Sequence, residues 1–383
     1  MNKIIKIIFF LAFTFSLAPG TVLANNKIKI GLLVPLTGKN SEIGQSIIKS
    51  TRLAINTINN VSIEIVPKDT QSNPAITLRA AKELANSGIK IVIGPVFNES
   101  LIYLDELNEL TFLALTNKND NFSKNIINAG INATSQLNAI KKFIELNEIK
   151  KTIFLTPDVS FRNEIEKAIS NSKIKILENY IYNTDPTKLT KQIEKITRYD
   201  VRKQNVEDEI NRLEKSEQNN KERLIERLKK RDTLGSVKFD SVVISDFDES
   251  LKSVTTSLLY TDISPKEKYF ITLNQWFDES LLKEISLQPL YFPSANKSNY
   301  DVFSNEYFEK YNQYPNQLSF LSYDLVGLVY YLILQNNSAV DKKMFKKKNL
   351  FKGKVGIFEI KNNKINHILN FYKVEDGEFK KVF

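Results

Sequence analysis

The chain has 383 residues, 42% of them hydrophobic, and a formal net charge of +10 at pH 7. It contains no cysteine and a single histidine, which excludes disulfides, thiol catalysis and the commoner zinc sites. The length favours two lobes or domains. The lysines are spread along the chain without interleaved aromatic residues, so we expect no nucleic-acid partner.

The first 24 residues have the features of an export signal. Lys3 and Lys6 provide a positive start, residues 4–17 an apolar core, and residues 22–24 a small-residue cleavage site. The apolar core is too short to favour a retained membrane span, and no cysteine is present for lipid attachment. We therefore expect a cleaved signal peptide over 1–24 and a mature periplasmic protein that is not a lipoprotein.

Residues 28–55 predict the first unit of an α/β fold. Residues 30–34 form a short apolar run, as in strands of a parallel sheet that is covered on both faces. Pro35 and Gly38 end that strand, and apolar residues then recur at three- and four-residue spacing over 43–55, which predicts a helix. A loop between the carboxyl end of a strand and a helix N-terminus is where open α/β sheets bind ligands.

Strands and helices alternate along the rest of the chain, which predicts parallel, doubly wound sheets. Strands are predicted over 61–66, 89–93, 112–115, 151–155, 174–177, 239–244 and 269–273, and a further helix is predicted after 94–100. The pattern restarts near Gly130, where we expect a crossing into a second lobe. The expected division is lobe 1 over 25–132 and 290–350, lobe 2 over 133–289, and C-terminal strands over 351–383, mostly in lobe 2.

Residues 198–232 differ from their surroundings because they are rich in both acidic and basic side chains. Two narrow apolar stripes occur in them, one of Val206, Ile210 and Leu213 and one of Leu224, Ile225 and Leu228. A break near Asn219 would let two helices cover each other's stripe as an αα-hairpin. Such a pair is either a solvated structural element or a docking surface for a protein partner.

The sequence lacks the familiar catalytic fingerprints. No GxxxxGK[ST], GxGxxG or GxSxG string occurs. The single histidine, His367, falls in a predicted C-terminal strand and is expected to be structural. Neighbouring acids such as Asp246 and Asp248 are usually solvated in a lysine-rich chain. We therefore expect no enzymatic activity, no cofactor and no metal.

Several blocks of the sequence resemble, in order, the type I periplasmic binding proteins of the leucine/isoleucine/valine class. The blocks are IGLLVPLTGKNSEIGQ, IVIGPVFNES, FLALTNK, YFPSANKSNYDVFSNEYFEKYNQYPNQLSFLSYDLVGLVYYL and FKGKVGIFEIKNNKINHILNFYKV. The resemblance covers nearly all of the mature chain. It implies an α/β fold of two doubly wound parallel-sheet lobes joined by a multi-strand hinge, with residues 198–232 as a charged helical hairpin inserted in lobe 2.

Two branches of that superfamily are compatible with the chain. One contains amino-acid receptors of ABC transporters, and the other contains penicillin-binding protein activators, which regulate peptidoglycan synthases. Three features resemble the second branch: the insertion ending in RLKKRDTLGSVKFDSVVI, the segment TLNQWFDESLLKE with the only tryptophan, and the helix entry PNQLSFLSYD. The better-known activators are lipoproteins, whereas this chain has no cysteine to acylate.

The resemblance to the amino-acid receptors implies a ligand cleft between the lobes. First-lobe loops would hold the α-carboxylate, and the second lobe would add an acid for the ammonium group and an aromatic wall. The first-lobe candidates are Thr37, Ser41, Asn98, Glu99, Ser100, Thr116 and Asn117, and the second-lobe candidates are Asp158, Phe161, Asp246 and Trp276. Short hydroxyl side chains and helix N-termini satisfy a carboxylate without adding a competing charge. Alternatively, Ser41 and Ser100 are helix N-caps, and the second-lobe residues are loop caps or packing residues.

Two functional hypotheses follow. The first, which we favour, is a regulator of peptidoglycan synthesis whose partner is a peptidoglycan synthase, that is, a penicillin-binding protein. The second is a substrate-binding protein that delivers a branched-chain or other amino acid to the permease of an ABC transporter by closing its lobes about the hinge. The insertion and the Trp276 segment favour the regulator, whereas the serine- and threonine-bearing loops favour the receptor.

Overall fold

The computed structural model describes residues 27–58, 63–118, 123–336 and 340–383, so the predicted export signal over 1–24 lies outside the described residues. The strands are β1 (Ile28–Val34), β2 (Ile63–Asp69), β3 (Ile91–Ile93), β4 (Thr111–Ala114), β5 (Ile126–Asn128), β6 (Thr152–Pro157), β7 (Glu178–Tyr182), β8 (Ser241–Ile244), β9 (Tyr269–Thr272), β10 (Leu290–Ser294), β11 (Asn349–Lys352), β12 (Ile357–Lys361), β13 (Lys364–Ile368), β14 (Asn370–Glu375) and β15 (Glu378–Lys381). The α-helices are α1 (Ser41–Thr57), α2 (Pro74–Asn86), α3 (Ala133–Leu146), α4 (Arg162–Ser172), α5 (Pro186–Thr197), α6 (Tyr199–Glu214), α7 (Lys221–Lys229), α8 (Asp248–Tyr260), α9 (Lys297–Tyr311) and α10 (Gln317–Gln335).

The first lobe is built on a five-stranded parallel sheet in the order β2-β1-β3-β4-β5. Both faces of this sheet are buried. In β1, Leu32 and Val34 belong to the cluster that includes residues of α1, whereas Leu33 faces the opposite cluster with residues of α2. Burial on both faces explains why β1 is a continuous apolar run.

Helices α9 and α10 return to this lobe and pack against α1. The hydroxyls of Ser46 and Ser319 form a hydrogen bond of 2.6 Å, and Tyr311 Oη donates to the Lys49 carbonyl at 2.9 Å. Among the described residues, α10 is the one helix long and apolar enough to cross a membrane, but 67% of its apolar window is buried inside the fold. We therefore describe α10 as a core helix.

The second lobe contains a seven-stranded sheet in the order β15-β14-β10-β9-β8-β6-β7. Five of these strands are parallel to one another. At one edge β14 pairs antiparallel with β10, and β15 pairs antiparallel with β14. The two lobes therefore confirm the predicted type of fold. Phe143 of α3 packs on one face, with ring centroids 4.5 Å from Phe371 and 4.9 Å from Tyr291.

Four details of the prediction are corrected. The predicted return to lobe 1 at residue 290 is wrong, because β10 pairs with β9 and β14 of the second sheet and the chain crosses only after it. The strand predicted over 174–177 lies instead at 178–182, where backbone pairing with β6 begins. The helix predicted after 94–100 is replaced by two short 3₁₀ turns, Asn98–Leu101 and Leu104–Glu106.

The fourth correction concerns the C-terminal strands, which are not mostly in lobe 2. Strands β11 to β13 form a separate antiparallel sheet, and only β14 and β15 join the second-lobe sheet. The small sheet lies beside β5 and α3, where His367 of β13 contacts the Ala129 carbonyl. The sequence pattern did not reveal this division because β13 and β14 are separated by one residue, Leu369.

The charged insertion forms the predicted helical hairpin, with α6 packed against α7. Arg202 of α6 is buried and fixes the hairpin to lobe 2. Its guanidinium donates to the hydroxyl of Thr233 at 2.6 Å and to the carbonyls of Thr261 at 2.9 Å and Asp262 at 3.3 Å. Helix α7 has no fully buried residue, so it forms the outer layer of the lobe.

Candidate functional site

A cavity of about 640 Å³ lies between the lobes, at the carboxyl ends of strands from both sheets. The first lobe contributes the loops after β3, β4 and β5 and the start of α10, and the second lobe contributes the loops after β8 and β9 and one residue of α3. This is the position where open α/β sheets bind ligands. The volume lies within the range of about 300–1,000 Å³ that is typical of small-molecule sites.

The first-lobe wall combines apolar residues with a set of polar ones. The loop after β3 supplies Asn98 and Glu99, and the loop after β4 supplies Thr116, Asn117 and Lys118. Thr116 is buried, and its hydroxyl oxygen accepts the backbone N–H of Lys118 at 3.1 Å. This hydrogen bond fixes the turn that presents Asn117 and Lys118 at the cavity.

The second-lobe wall is held by a network of carboxamides. Asn274 Oδ1 accepts the N–H of Trp276 at 2.9 Å and the hydroxyl of Ser294 at 2.8 Å, while the Asn274 N–H donates to Gln136 Oε1 at 2.9 Å. Gln136, Asn274 and Trp276 line the cavity, whereas Ser294 is buried behind them. The network links α3 to the loop after β9.

Trp276 is held at the cavity by an unusual backbone. Trp276 and Phe277 both have positive φ, 48° and 61°, a conformation that costs side-chain-bearing residues energy and that is concentrated at functional sites. The Phe277 ring is buried in an aromatic cluster, with its centroid 5.0 Å from that of Tyr372 and 5.9 Å from that of Phe292. Burial of Phe277 leaves Trp276 on the opposite side, where it lines the cleft.

Asp246 lies behind the second-lobe wall and does not line the cavity. It is buried, accepts a hydrogen bond from the Tyr182 hydroxyl, and also accepts the Phe247 N–H at 2.9 Å. Burial raises the pKa of this carboxyl, against the lowering effect of the two hydrogen bonds. Asp246 therefore positions the loop that brings Phe247 and Asp248 to the cavity, whereas we expected it to face the ligand directly.

Five of the sequence candidates line the cavity, namely Asn98, Glu99, Thr116, Asn117 and Trp276. Three first-lobe candidates lie elsewhere. Thr37 donates its hydroxyl to Asp69 Oδ2 at 2.6 Å, which holds the first loop to the end of β2. Ser41 is the first residue of α1, and Ser100 is buried with no hydrogen-bond partner for its hydroxyl among the described residues.

The first loop does not line the cavity, and it is packed tightly against α1. Gly44 of α1 approaches the end of β1 so closely that a Cβ there would lie 1.8 Å from the Pro35 carbonyl oxygen. In lobe 2, Asp158 and Phe161 are also outside the cavity lining. The carboxylate of Asp158 pairs with Arg162 at 3.1 Å, and Phe161 packs against the hydrophobic core.

Sequence reasoning missed several residues that line the cavity, and these are Lys118, Gln136, Asp248, Asn274, Gln275, Asp278 and Gln317. Lys118 and Asp248 could have been found, because each follows a predicted candidate in the same loop. Gln136 could not have been found in this way, because it lies in helix α3 and the sequence does not show which face of that helix meets the cleft. No group of three or more metal-ligating side chains occurs in the described ranges.

Comparison with known proteins agrees with this architecture. Residues 27–198 match a family model described as periplasmic binding protein. No curated protein matches the chain. A substrate-binding protein of an ABC transporter from Desulfitobacterium hafniense, solved with Leu, is similar with a TM-score of 0.62 and 14% identity over 93% of this chain and 100% of that one.

Two further solved structures are similar in fold. The branched-chain amino acid transporter substrate-binding protein LivJ from Streptococcus pneumoniae, in complex with isoleucine, has a TM-score of 0.55 and 18% identity over 92% of this chain and 98% of that one. The C-domain of LpoA from Haemophilus influenzae, a regulator of PBP1A, has a TM-score of 0.63 and 14% identity over 93% of this chain and 100% of that one. The chain is thus a two-lobed protein with the fold of the type I periplasmic binding proteins.

Proposed function

We propose that this protein is a periplasmic ligand-binding protein whose lobes close over a small polar molecule, and that it acts by binding and not by catalysis. The single observation that carries the proposal is the cavity of about 640 Å³ at the carboxyl ends of both sheets. Its polar residues come from both lobes, so a ligand that contacts both walls would favour the closed arrangement. An amino acid or a small peptidoglycan fragment is the class of ligand proposed.

A thermal-shift screen of the mature chain, from Asn25 onward, tests this proposal. A ligand at 100 times its dissociation constant stabilises the native state by about 2.7 kcal/mol. We expect a shift with at least one amino acid or cell-wall fragment, and we expect Trp276→Ala to abolish it. Tyr314→Ala is the matched control, because Tyr314 is 74% exposed and does not line the cavity. A flat response to every compound contradicts the proposal.

A second candidate function is regulation of a peptidoglycan synthase through the α6–α7 hairpin. The observation that favours it is the buried Arg202 anchor, which presents an exposed charged helix in a fixed position on lobe 2. The similarity to the LpoA C-domain supports this candidate, but it is matched by the similarity to the amino-acid-binding proteins. If the protein instead delivers its ligand to a transporter, the partner is the permease of an ABC transporter.

Charge reversal on the hairpin tests this second candidate function. Arg223 and Arg227 are exposed one turn apart on α7, and Lys188 and Lys191 are exposed on α5. If the hairpin contacts a synthase, this protein should stimulate peptidoglycan synthesis by a purified penicillin-binding protein from the same organism. Changing both arginines to Glu should then remove that stimulation. The same change at the two lysines should leave the stimulation intact. Absence of stimulation by the wild-type protein contradicts the candidate.

A further inference from the structure

The charged residues that line the cavity are divided unequally between the lobes. The first-lobe wall carries Glu99 and Lys118, whereas the second-lobe wall carries Asp248 and Asp278. The described lining of the second lobe contains no basic residue to offset these two carboxylates. The half of the cleft formed by lobe 2 is therefore acidic, and the whole lining has a negative excess.

Of the two second-lobe acids that line the cavity, Asp248 has the charge that is more available to a ligand. Its neighbour Glu249 is paired with Lys252 at 3.0 Å, whereas Asp248 forms no ion pair with a described residue. The carboxylate of Asp278 is already hydrogen-bonded within the protein. It accepts the backbone N–H of Ser280 at 2.9 Å and the Ser280 hydroxyl at 2.8 Å. Because β8 and β9 are adjacent parallel strands, the loops that carry the two acids follow neighbouring strand ends.

A carboxamide acceptor at the cavity surface lies beside these acids. Gln275 is 6% exposed and lines the cavity, and its Nε2 group donates to the hydroxyl of Thr272 at 3.1 Å and to the carbonyls of Leu273 and Asp246. Its Oε1 atom accepts no hydrogen bond within the described ranges. The oxygen is accessible at the cavity surface and can accept a hydrogen bond from a ligand, and an ammonium group has three N–H donors and no acceptor.

Trp276 completes the acidic side of the cleft. Indole is the aromatic side chain that attracts cations best, and Trp276 lines the cavity next to Gln275 in a backbone conformation that Phe277 fixes. Carboxylates, a carbonyl acceptor and an indole together suit an ammonium group. Lys118, on the opposite wall, suits a carboxylate.

We propose that the preferred ligand is a diamino acid, that is, an amino acid with a second ammonium group on its side chain. The ligand's carboxylate contacts Lys118, and its ammonium groups contact Asp248, Gln275 and Trp276. A ligand with net charge +1 complements the negative excess of the lining, whereas a branched-chain amino acid carries no net charge. This inference rests on the proposed ligand-binding function and names the chemistry of its ligand.

Isothermal titration with lysine, ornithine, norleucine and leucine tests the inference. Norleucine is the matched probe, because it has the linear side chain of lysine without the ammonium group. We expect lysine or ornithine to bind at least tenfold more tightly than norleucine. Asp248→Asn should remove most of this difference in affinity. Glu249→Gln should retain it, because Glu249 lies outside the cavity lining.

The outcomes separate this inference from the proposed function. Equal or tighter binding of norleucine or leucine overturns the diamino-acid preference while leaving a ligand-binding protein. An unchanged preference in Asp248→Asn overturns the assigned role of the lobe-2 wall. Absence of binding by all four amino acids overturns the inference, and the wider thermal-shift screen then decides whether the proposed function fails as well.

Discussion

His367 gives the fold a specific sensitivity to mild acid. The side chain is 4% exposed, its Nε2 atom lies 2.9 Å from the Ala129 carbonyl oxygen, and its ring centroid is 4.7 Å from that of Phe358. Since a carbonyl can only accept, Nε2 carries the proton and donates it. Burial lowers the pKa of His367 from 6.5 to about 4, and this effect outweighs the opposite influence of the carbonyls of Ala129 and Gly130.

The direction of the pH effect follows from this lowered pKa. Between pH 6.5 and pH 4 the unfolded chain binds a proton at this histidine and the folded chain does not. The contribution is therefore fully present above pH 6.5 and is lost as the pH falls toward 4. With these two pKa values, a change from pH 7.5 to pH 5.0 lowers the free energy of unfolding by about 2 kcal/mol through His367 alone.

Urea unfolding of the wild type and His367→Gln at both pH values measures this contribution. Glutamine keeps an N–H donor for the Ala129 carbonyl but does not titrate, so the other ionisable groups contribute equally to both proteins. We expect the wild type to lose about 2 kcal/mol more than the variant on acidification. If the two proteins show the same pH dependence, His367 is not held neutral by burial and the reasoning is refuted.

Two further predictions concern packing and the hairpin anchor. A Cβ at Gly353 would lie 2.0 Å from the buried carboxylate of Asp324, whereas the nearest atom at Gly356 would be 3.5 Å away. Gly353→Ala should therefore lower the unfolding free energy by about 1–3 kcal/mol, and Gly356→Ala should change it little. Equal melting temperatures of the two variants would contradict this prediction. Arg202→Ala should cost about 3 kcal/mol and speed tryptic cleavage within 199–232, because it leaves the buried Thr261 carbonyl and Thr233 hydroxyl without the guanidinium donor. Arg212→Ala, which removes an exposed pair with Glu209, should stay within about 0.5 kcal/mol of the wild type, and similar cleavage rates for both variants would refute the anchor.

Much of the fold could be predicted from the sequence because its main elements depend on local signals. Asn73 followed by Pro74 predicts a helix start, and Asn73 indeed caps α2 by accepting the N–H groups of Ala75 and Ile76. Doubly buried strands such as β1 are continuous apolar runs, and their alternation with helices identifies parallel sheets. The two-helix insertion was also predictable, because its apolar stripes are interrupted near Asn219.

Strand pairing was less predictable because it depends on distant partners. β10 is apolar like a strand of either lobe, and only its backbone pairing with β9 and β14 places it in the second sheet. The side chains of the cleft show the same limit. Asn98, Thr116 and their neighbours line the cavity because the loops after β3 and β4 are directed toward the other lobe.

The sequence by itself therefore determined the classes of element, their order and the strand ends at which polar loops occur, since these depend on residues close together in the chain. Only the tertiary structure decided which of those loops form the cleft. Thr37 is held by Asp69, and Asp246 by Tyr182, partners that lie 32 and 64 residues away along the chain. Each of these hydrogen bonds joins segments that are distant in the chain, so the local sequence does not show which polar side chains reach the cavity.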